Sequence, residues 1–376
     1  MVNYEDTMNF TKLDFAMMVF GIGIYVADIG ADIWVARNYY SEERYLWCCL
    51  TLATLFLSSV IVQVFSYTWF KDDNPEKQNW ISAVHALHGG IFTRYWFALK
   101  CGYQAAFKPN SSGDKLIDYP THKKAIDAMV DISMLRLFKT YLESTPQLIL
   151  QIHIVMTSDS SAYSQYASIT MSFVSISCST VDFQIALRKS LPGKKKFTWM
   201  FSKLTYFFYK LLTLTSWIFS IALVTVLNTE WSIVLLVLLW FGGMIWVLKQ
   251  HTTFCRRKAT EILYRMVVGI ILIFTFFNVK GERTKIPLFV YYATRAFITT
   301  VIACASMFWK SCFNEKIHLL VLIMVILALV AMILGLICLI LYYRFFHPSI
   351  YYTTDVVDGS GQETEETCRI QEFLMQ

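Results

Sequence analysis

The chain has 376 residues, 56% of them hydrophobic and only 16% charged, with a formal net charge of +6. Its mean hydropathy is +0.47; a soluble domain of this length carries more charge and shorter apolar runs. The lysines and arginines cluster between apolar runs, a pattern explained by membrane topology and not by a nucleic-acid partner.

Met1 to Lys12 is polar and partly acidic, and the apolar run behind it is too long for a signal-peptide core. The first helix is therefore expected to be an uncleaved anchor. Ten apolar elements follow in order, over 13–36, 45–70, 80–106, 122–158, 163–187, 201–227, 231–250, 261–279, 287–309 and 317–343. Most are long enough for a bilayer span, which takes about 20 apolar residues. The expected fold is an all-α polytopic membrane protein.

Basic connections set the expected orientation. Segment 188–203 holds Arg188, Lys189, Lys194, Lys195, Lys196 and Lys203, and segment 249–258 holds Lys249, Arg256, Arg257 and Lys258, so both are expected in the cytosol. Asn228-Thr229-Glu230 has no basic residue and is expected outside. Three elements then separate 249–258 from the tail, so a cytosolic tail requires one of them not to cross. Element 261–279 is the choice, because Lys280, Arg283 and Lys285 behind it then stay inside. Element 80–106, interrupted by Gly89-Gly90, Arg94 and Lys100, plays the same part in the first half. The expectation is about eight transmembrane helices plus two re-entrant segments, in two parallel five-element repeats with cytosolic N- and C-termini. The chain then divides into a first membrane repeat (1–187), a basic cytosolic linker (188–203), a second membrane repeat (204–343) and a cytosolic regulatory tail (344–376).

Ionisable residues inside apolar helices are costly, so each needs a partner or a task. Asp14, Asp28 and Asp32 lie on the first element, with Asp28 and Asp32 four apart on one helical face and Asp14 near it. The fourth element carries Asp127, Asp131, Arg136, Lys139 and Glu143, and Arg94, Asp182, Arg265 and Arg295 complete the set. They read either as buried pairs joining helices or as a polar stripe along which lipid headgroups pass. His85 and His88 have no carboxylate at matching spacing, so no metal site is expected. The sequence has no G-x-S-x-G, P-loop or dinucleotide fingerprint, so neither a catalytic site nor a cofactor is expected.

The tail carries Asp355-Val356-Val357-Asp358-Gly359, an Asp at each end of a tetrapeptide with a small residue behind, as executioner caspases read. Beyond it Ile370, Phe373 and Leu374 fall at i, i+3 and i+4, one apolar face that could dock in a groove as an inhibitory contact. Cys312, in the short polar connection Lys310 to Lys316, reads as a free thiol.

Three segments resemble the XK-related family: Asp28-Ile29-Gly30-Ala31-Asp32-Ile33-Trp34, Tyr141-Leu142-Glu143-Ser144-Thr145-Pro146-Gln147-Leu148, and the tail cleavage pattern. The resemblance covers the whole chain. It implies ATP-independent, bidirectional phospholipid scrambling at the plasma membrane and phosphatidylserine exposure in apoptosis after caspase cleavage. It carries the family's membrane acids onto Asp28, Asp32 and Glu143, and the cleavage position onto Asp358. The implied partners are membrane phospholipids, an executioner caspase and, as for some relatives, a single-pass membrane protein. An ion or solute transporter, and a non-transporting scaffold, remain open alternatives, because intramembrane charge and repeats suit a transporter equally.

Overall fold

The computed structural model describes residues 9–73, 79–107, 119–157, 163–190, 200–250, 252, 254–277, 285–308 and 315–346. Asp355, Asp358, Gly359, Ile370, Phe373, Leu374, Cys312 and Arg283 lie outside the described residues. Within them the chain is helical and holds no strand. In order the helices are α1 (Lys12–Ser41), α2 (Tyr45–Asp73), α3 (Asn79–Ala86), α4 (Gly90–Phe107), α5 (Tyr119–Lys139), α6 (Thr145–Thr157), α7 (Tyr163–Ser190), α8 (Met200–Leu227), α9 (Thr229–Lys249), α10 (Lys258–Phe274), α11 (Lys285–Phe308) and α12 (Glu315–Leu341). Among the described residues, seven helical stretches are long and apolar enough to cross a membrane: α1, α2, α8, α9, α11, Gln165–Ser190 of α7, and His318–Phe346. The protein is an all-α polytopic membrane protein.

These seven coincide with seven of the elements expected to cross. The eighth, 122–158, is a composite. A π-helical turn, Thr140–Ser144, joins α5 to α6, and five charged residues lie between Asp127 and Glu143. Pro146, just past the turn, has no N–H to return to Leu142, and a widened turn absorbs that missing bond. The two elements expected not to cross are short or broken. Element 80–106 splits into α3 and α4, and α10 has only 17 residues, about 26 Å at 1.5 Å per residue.

The helix ends follow local chemistry. Thr11 caps α1 through a capping box, its backbone N–H donating to Asp14 Oδ2 at 2.6 Å. Asn228 caps α9, its side-chain oxygen accepting from the N–H groups of Glu230 and Trp231 at 2.8 and 3.1 Å. α3 ends in a Schellman arrangement: Gly89 N–H donates to Val84 C=O at 2.8 Å and His88 N–H to His85 C=O at 3.1 Å, with His88 at φ 58°.

The chain forms two compact units. The first comprises residues 1–143 and 182–194, and the second 144–181 and 195–376. In the first, α4 packs along α5, and α1 along α2 and α4, over Phe65, Trp69 and Phe138. In the second, α8 is central. It lies along α12 and also meets α6, α9 and α11, with Trp217, Ile218, Ile221 and Ala222 buried on its faces. α10 packs against α9 and buries Tyr264, Val268, Ile271 and Phe274.

Candidate functional site

Glu143 lies in the π turn, fully buried at 0% exposure, and anchors the main charged cluster of the first unit. Its Oε1 is 2.8 Å from Lys139 Nζ, one turn back, and its Oε2 accepts a short hydrogen bond from Ser58 of α2. Lys139 also donates to Asp28 Oδ2 on α1, and its ammonium lies 5.3 Å from the Tyr25 ring centroid. Asp32, one turn beyond Asp28, completes a group of three carboxylates whose oxygens lie within 4.8 Å of one another. Such a triad could in principle ligate a cation, but the Lys139 ammonium already bridges two of its members.

The cluster is one end of a charged line along α1. Asp14, at the N-terminal end, takes a hydrogen-bonded ion pair from Lys189 of α7 while still closing its capping box. Midway, Gly21 leaves room for Arg136 of α5; a Cβ on Gly21 would lie 2.8 Å from Arg136 Nη1. Arg136 in turn lies 3.8 Å from Asp182 of α7. Asp14, Gly21 and Asp28 recur every seven residues, which keeps them on one face of a helix.

Arg94 on α4 sits to one side of this line. Its Nη1 donates to Asp131 Oδ2 of α5 at 2.6 Å, its Nη2 to Ser66 C=O of α2 at 3.2 Å, and Asp73 lies 3.8 Å away. This pairing ties three helices beside the α3–α4 break. The break itself is satisfied from α2: Gln63 donates to His88 C=O at 2.9 Å and accepts from Gly90 N–H at 3.1 Å. A Cβ on Gly90 would collide with Gln63 and His85, so the close approach needs glycine. Asp127, half-buried on α5, stands one turn before Asp131.

Arg295 belongs to the second unit and does a different job. From α11 its guanidinium donates to Phe274 C=O at 2.5 Å, to Ile273 C=O, and to Leu272 C=O at 3.4 Å, the last carbonyls of α10. It lies 4.5 Å from the Trp217 ring centroid and 4.4 Å from that of Tyr291. Lys210 of α8, buried, donates to Thr275 Oγ1 at 2.9 Å just past the same helix end. Two cations thus cap the negative end of a short helix, where the orphan carbonyls have no further turn to bond. Arg265, also on α10, pairs with Glu261 at 3.1 Å and with Thr252 C=O at 2.6 Å.

The structure therefore gathers Asp28, Asp32, Lys139 and Glu143 in one group, Arg136 with Asp182 in a second, and Arg94 with Asp131 in a third. It gives Asp14 a partner from the segment read as a cytosolic linker, Lys189. Four participants escaped the sequence reading of the membrane charges: Ser58, Asp73, Lys189 and Lys210. Lys210 left a signal, as a lysine well inside the apolar run 201–227, two turns beyond Lys203 at its edge.

A family model described as XK-related protein matches residues 16–348. XK-related protein 9 of Tetraodon nigroviridis is 32% identical over 97% of this chain and 99% of its own length. XK-related protein 8 of the same fish is 32% identical over 91% of this chain and 85% of its own length. XK-related protein 8 of Pan troglodytes is 30% identical over 92% of this chain and 88% of its own length.

Proposed function

The chain belongs to the XK-related family, and on that premise we propose that it scrambles phospholipids at the plasma membrane. Scrambling is ATP-independent and bidirectional, and exposes phosphatidylserine in apoptosis after an executioner caspase cuts the tail at Asp358. One observation carries the reading. The charged line on α1 runs from Asp14 past Gly21 and Arg136 to Asp28, fourteen residues or about 21 Å at 1.5 Å per residue. That covers most of a hydrocarbon core about 30 Å thick. Asp28 and Asp182 keep 37% and 35% of their side chains exposed, so the line is open along its flank and not sealed inside the unit. Headgroups could exchange ion partners along it while acyl chains stay in the bilayer, which lowers the cost of carrying charge across. In the resting pairing each cation is already taken, and a rearrangement frees it.

The topology that goes with this reading has two parallel five-element repeats and cytosolic termini. The third element of each repeat enters and leaves on one side. Two features support that: α10 is short and well buried, and both interrupted elements have their free backbone groups satisfied by neighbouring side chains, by Gln63 in one case and by Arg295 and Lys210 in the other. Irregular backbone at membrane depth survives only with such shielding. The tail holds the resting state through Ile370, Phe373 and Leu374.

Reconstitution of the full chain into liposomes tests the function. With fluorescent lipid in both leaflets, dithionite should quench only the outer-leaflet label before caspase treatment and both leaflets after it. Ion flux without lipid exchange would make the protein a channel or transporter, and neither activity would make it a scaffold.

A further inference from the structure

A groove of about 520 Å³ lies between α1 and α4, lined by Phe15, Trp96, Leu99, Lys100, Tyr103 and Gln104. Its size falls within the roughly 300–1,000 Å³ of small-molecule sites. Its walls are aromatic: Phe15 meets Tyr103 edge-on at 6.4 Å and Phe107 at 5.4 Å, and Tyr103 stacks on Phe107 at 5.4 Å. Trp96 and Tyr103 stand 72% and 59% exposed. Two cations flank this apolar bed. Lys12 lies 5.4 Å from the Phe107 ring centroid, and Lys100 lines the groove itself. Among the described residues neither makes an ion pair with a carboxylate, unlike Lys189 at the same end of α1 and Lys139 farther along it.

The groove also lies at one defined end of the first unit. Lys189 pairs with Asp14, Phe10 N–H donates to His122 Nδ1 at 2.9 Å, and Lys12 covers Phe107. These contacts bring the start of α1, the ends of α4 and α7 and the start of α5 to one level. Lys12, Lys100, Lys123, Lys124, Arg188 and Lys189 lie on these stretches. A basic rim of this kind marks the cytosolic face, whose leaflet carries the anionic lipids.

We propose that this groove binds an acidic glycerophospholipid of the cytosolic leaflet. One acyl chain lies against Phe15, Trp96, Leu99 and Tyr103, and Lys12, Lys100 and Gln104 hold the anionic headgroup. The choice of occupant follows from charge: an acidic headgroup brings net negative charge to two lysines that have no carboxylate partner among the described residues, a zwitterionic headgroup offsets its phosphate with its own cation, and a sterol offers no anion. The assignment rests on the membrane orientation proposed above but not on scrambling, so its test reads binding alone.

Full-length protein in phosphatidylcholine nanodiscs would be photolysed with a trace of diazirine-labelled phosphatidylserine or, in a parallel sample, diazirine-labelled phosphatidylcholine, and the cross-linked peptides mapped. Residues 90–107 should take the serine lipid at least fivefold over the choline lipid. Lys12→Gln with Lys100→Gln should abolish that preference, at about fivefold per lysine, and Lys12→Arg with Lys100→Arg should restore it. Equal capture of the two probes by the native protein, persistence of the preference in the glutamine variant, or displacement of the serine probe by cholesterol would each overturn the assignment. The native protein alone decides the first and third outcomes, so a poorly folding variant leaves the test intact.

Discussion

Lys139 on α5 reaches across 111 residues of sequence to pair with Asp28 on α1, and the same ammonium contacts Glu143 one turn along its own helix. One cation thus joins two helices and neutralises the most buried carboxylate of the first unit.

Because Glu143 is buried and Asp28 is 37% exposed, their substitutions should differ. Lys139→Met leaves buried carboxylates without a cation and should cost about 3–5 kcal/mol. Glu143→Gln should reduce stability less, since Lys139 keeps Asp28. Asp28→Asn should cost about 1 kcal/mol or less in stability, as for exposed pairs, yet impair scrambling. Thermal unfolding of the purified variants followed by size exclusion checks the order. Native stability and scrambling in all three would make the charges incidental.

Arg295→Met takes the Arg295 donor from the Ile273 and Phe274 carbonyls, while Leu272 C=O keeps the Tyr291 hydroxyl at 3.0 Å, and each unsatisfied buried group costs about 1–3 kcal/mol. Loss of abundance and a markedly lower melting temperature are expected, with Arg295→Lys intermediate because an ammonium lacks the planar fork. An unchanged melting temperature in Arg295→Met would show that α10 ends without needing the cap.

A cysteine replacing Arg283 should resist a membrane-impermeant maleimide in intact cells, and react once the membrane is permeabilised. The segment behind α10 stays cytosolic if that helix is re-entrant. Labelling from outside would mean that α10 crosses fully, and another element would have to be the one that does not.

Asp358→Ala should block caspase cleavage and leave the protein silent in dying cells. Changing Ile370, Phe373 and Leu374 together to Ser should loosen the tail without a cut. Burying each such side chain is worth about 1.5–3 kcal/mol, against about 1–2 kcal/mol per residue for ordering the backbone. The net hold is modest, so the uncut triple variant should scramble at least partly. Complete silence from a surface-expressed triple variant that caspase still activates would place the inhibitory contact elsewhere in the tail.

The sequence by itself determined the class and most element boundaries. Apolar runs long enough to span a bilayer can satisfy their backbone only as helices, so the expected 201–227 and 231–250 differ from α8 and α9 by two residues or fewer at each end. It also showed where element 80–106 breaks, because Gly89-Gly90 is a local feature, whereas 261–279 is singled out only by counting crossings and by the basic residues behind it. Only the tertiary structure decided the pairings. Asp14 with Lys189, Asp28 with Lys139 and Arg136 against Gly21 each join residues more than a hundred positions apart. Arg295 resembles any other intramembrane charge in sequence, yet it caps α10 instead of meeting a carboxylate. Hydropathy records the cost of placing a charge in a membrane helix, which is a property of one segment. The partner that offsets this cost is set by which helices pack together and at what depth, and no single segment holds that information.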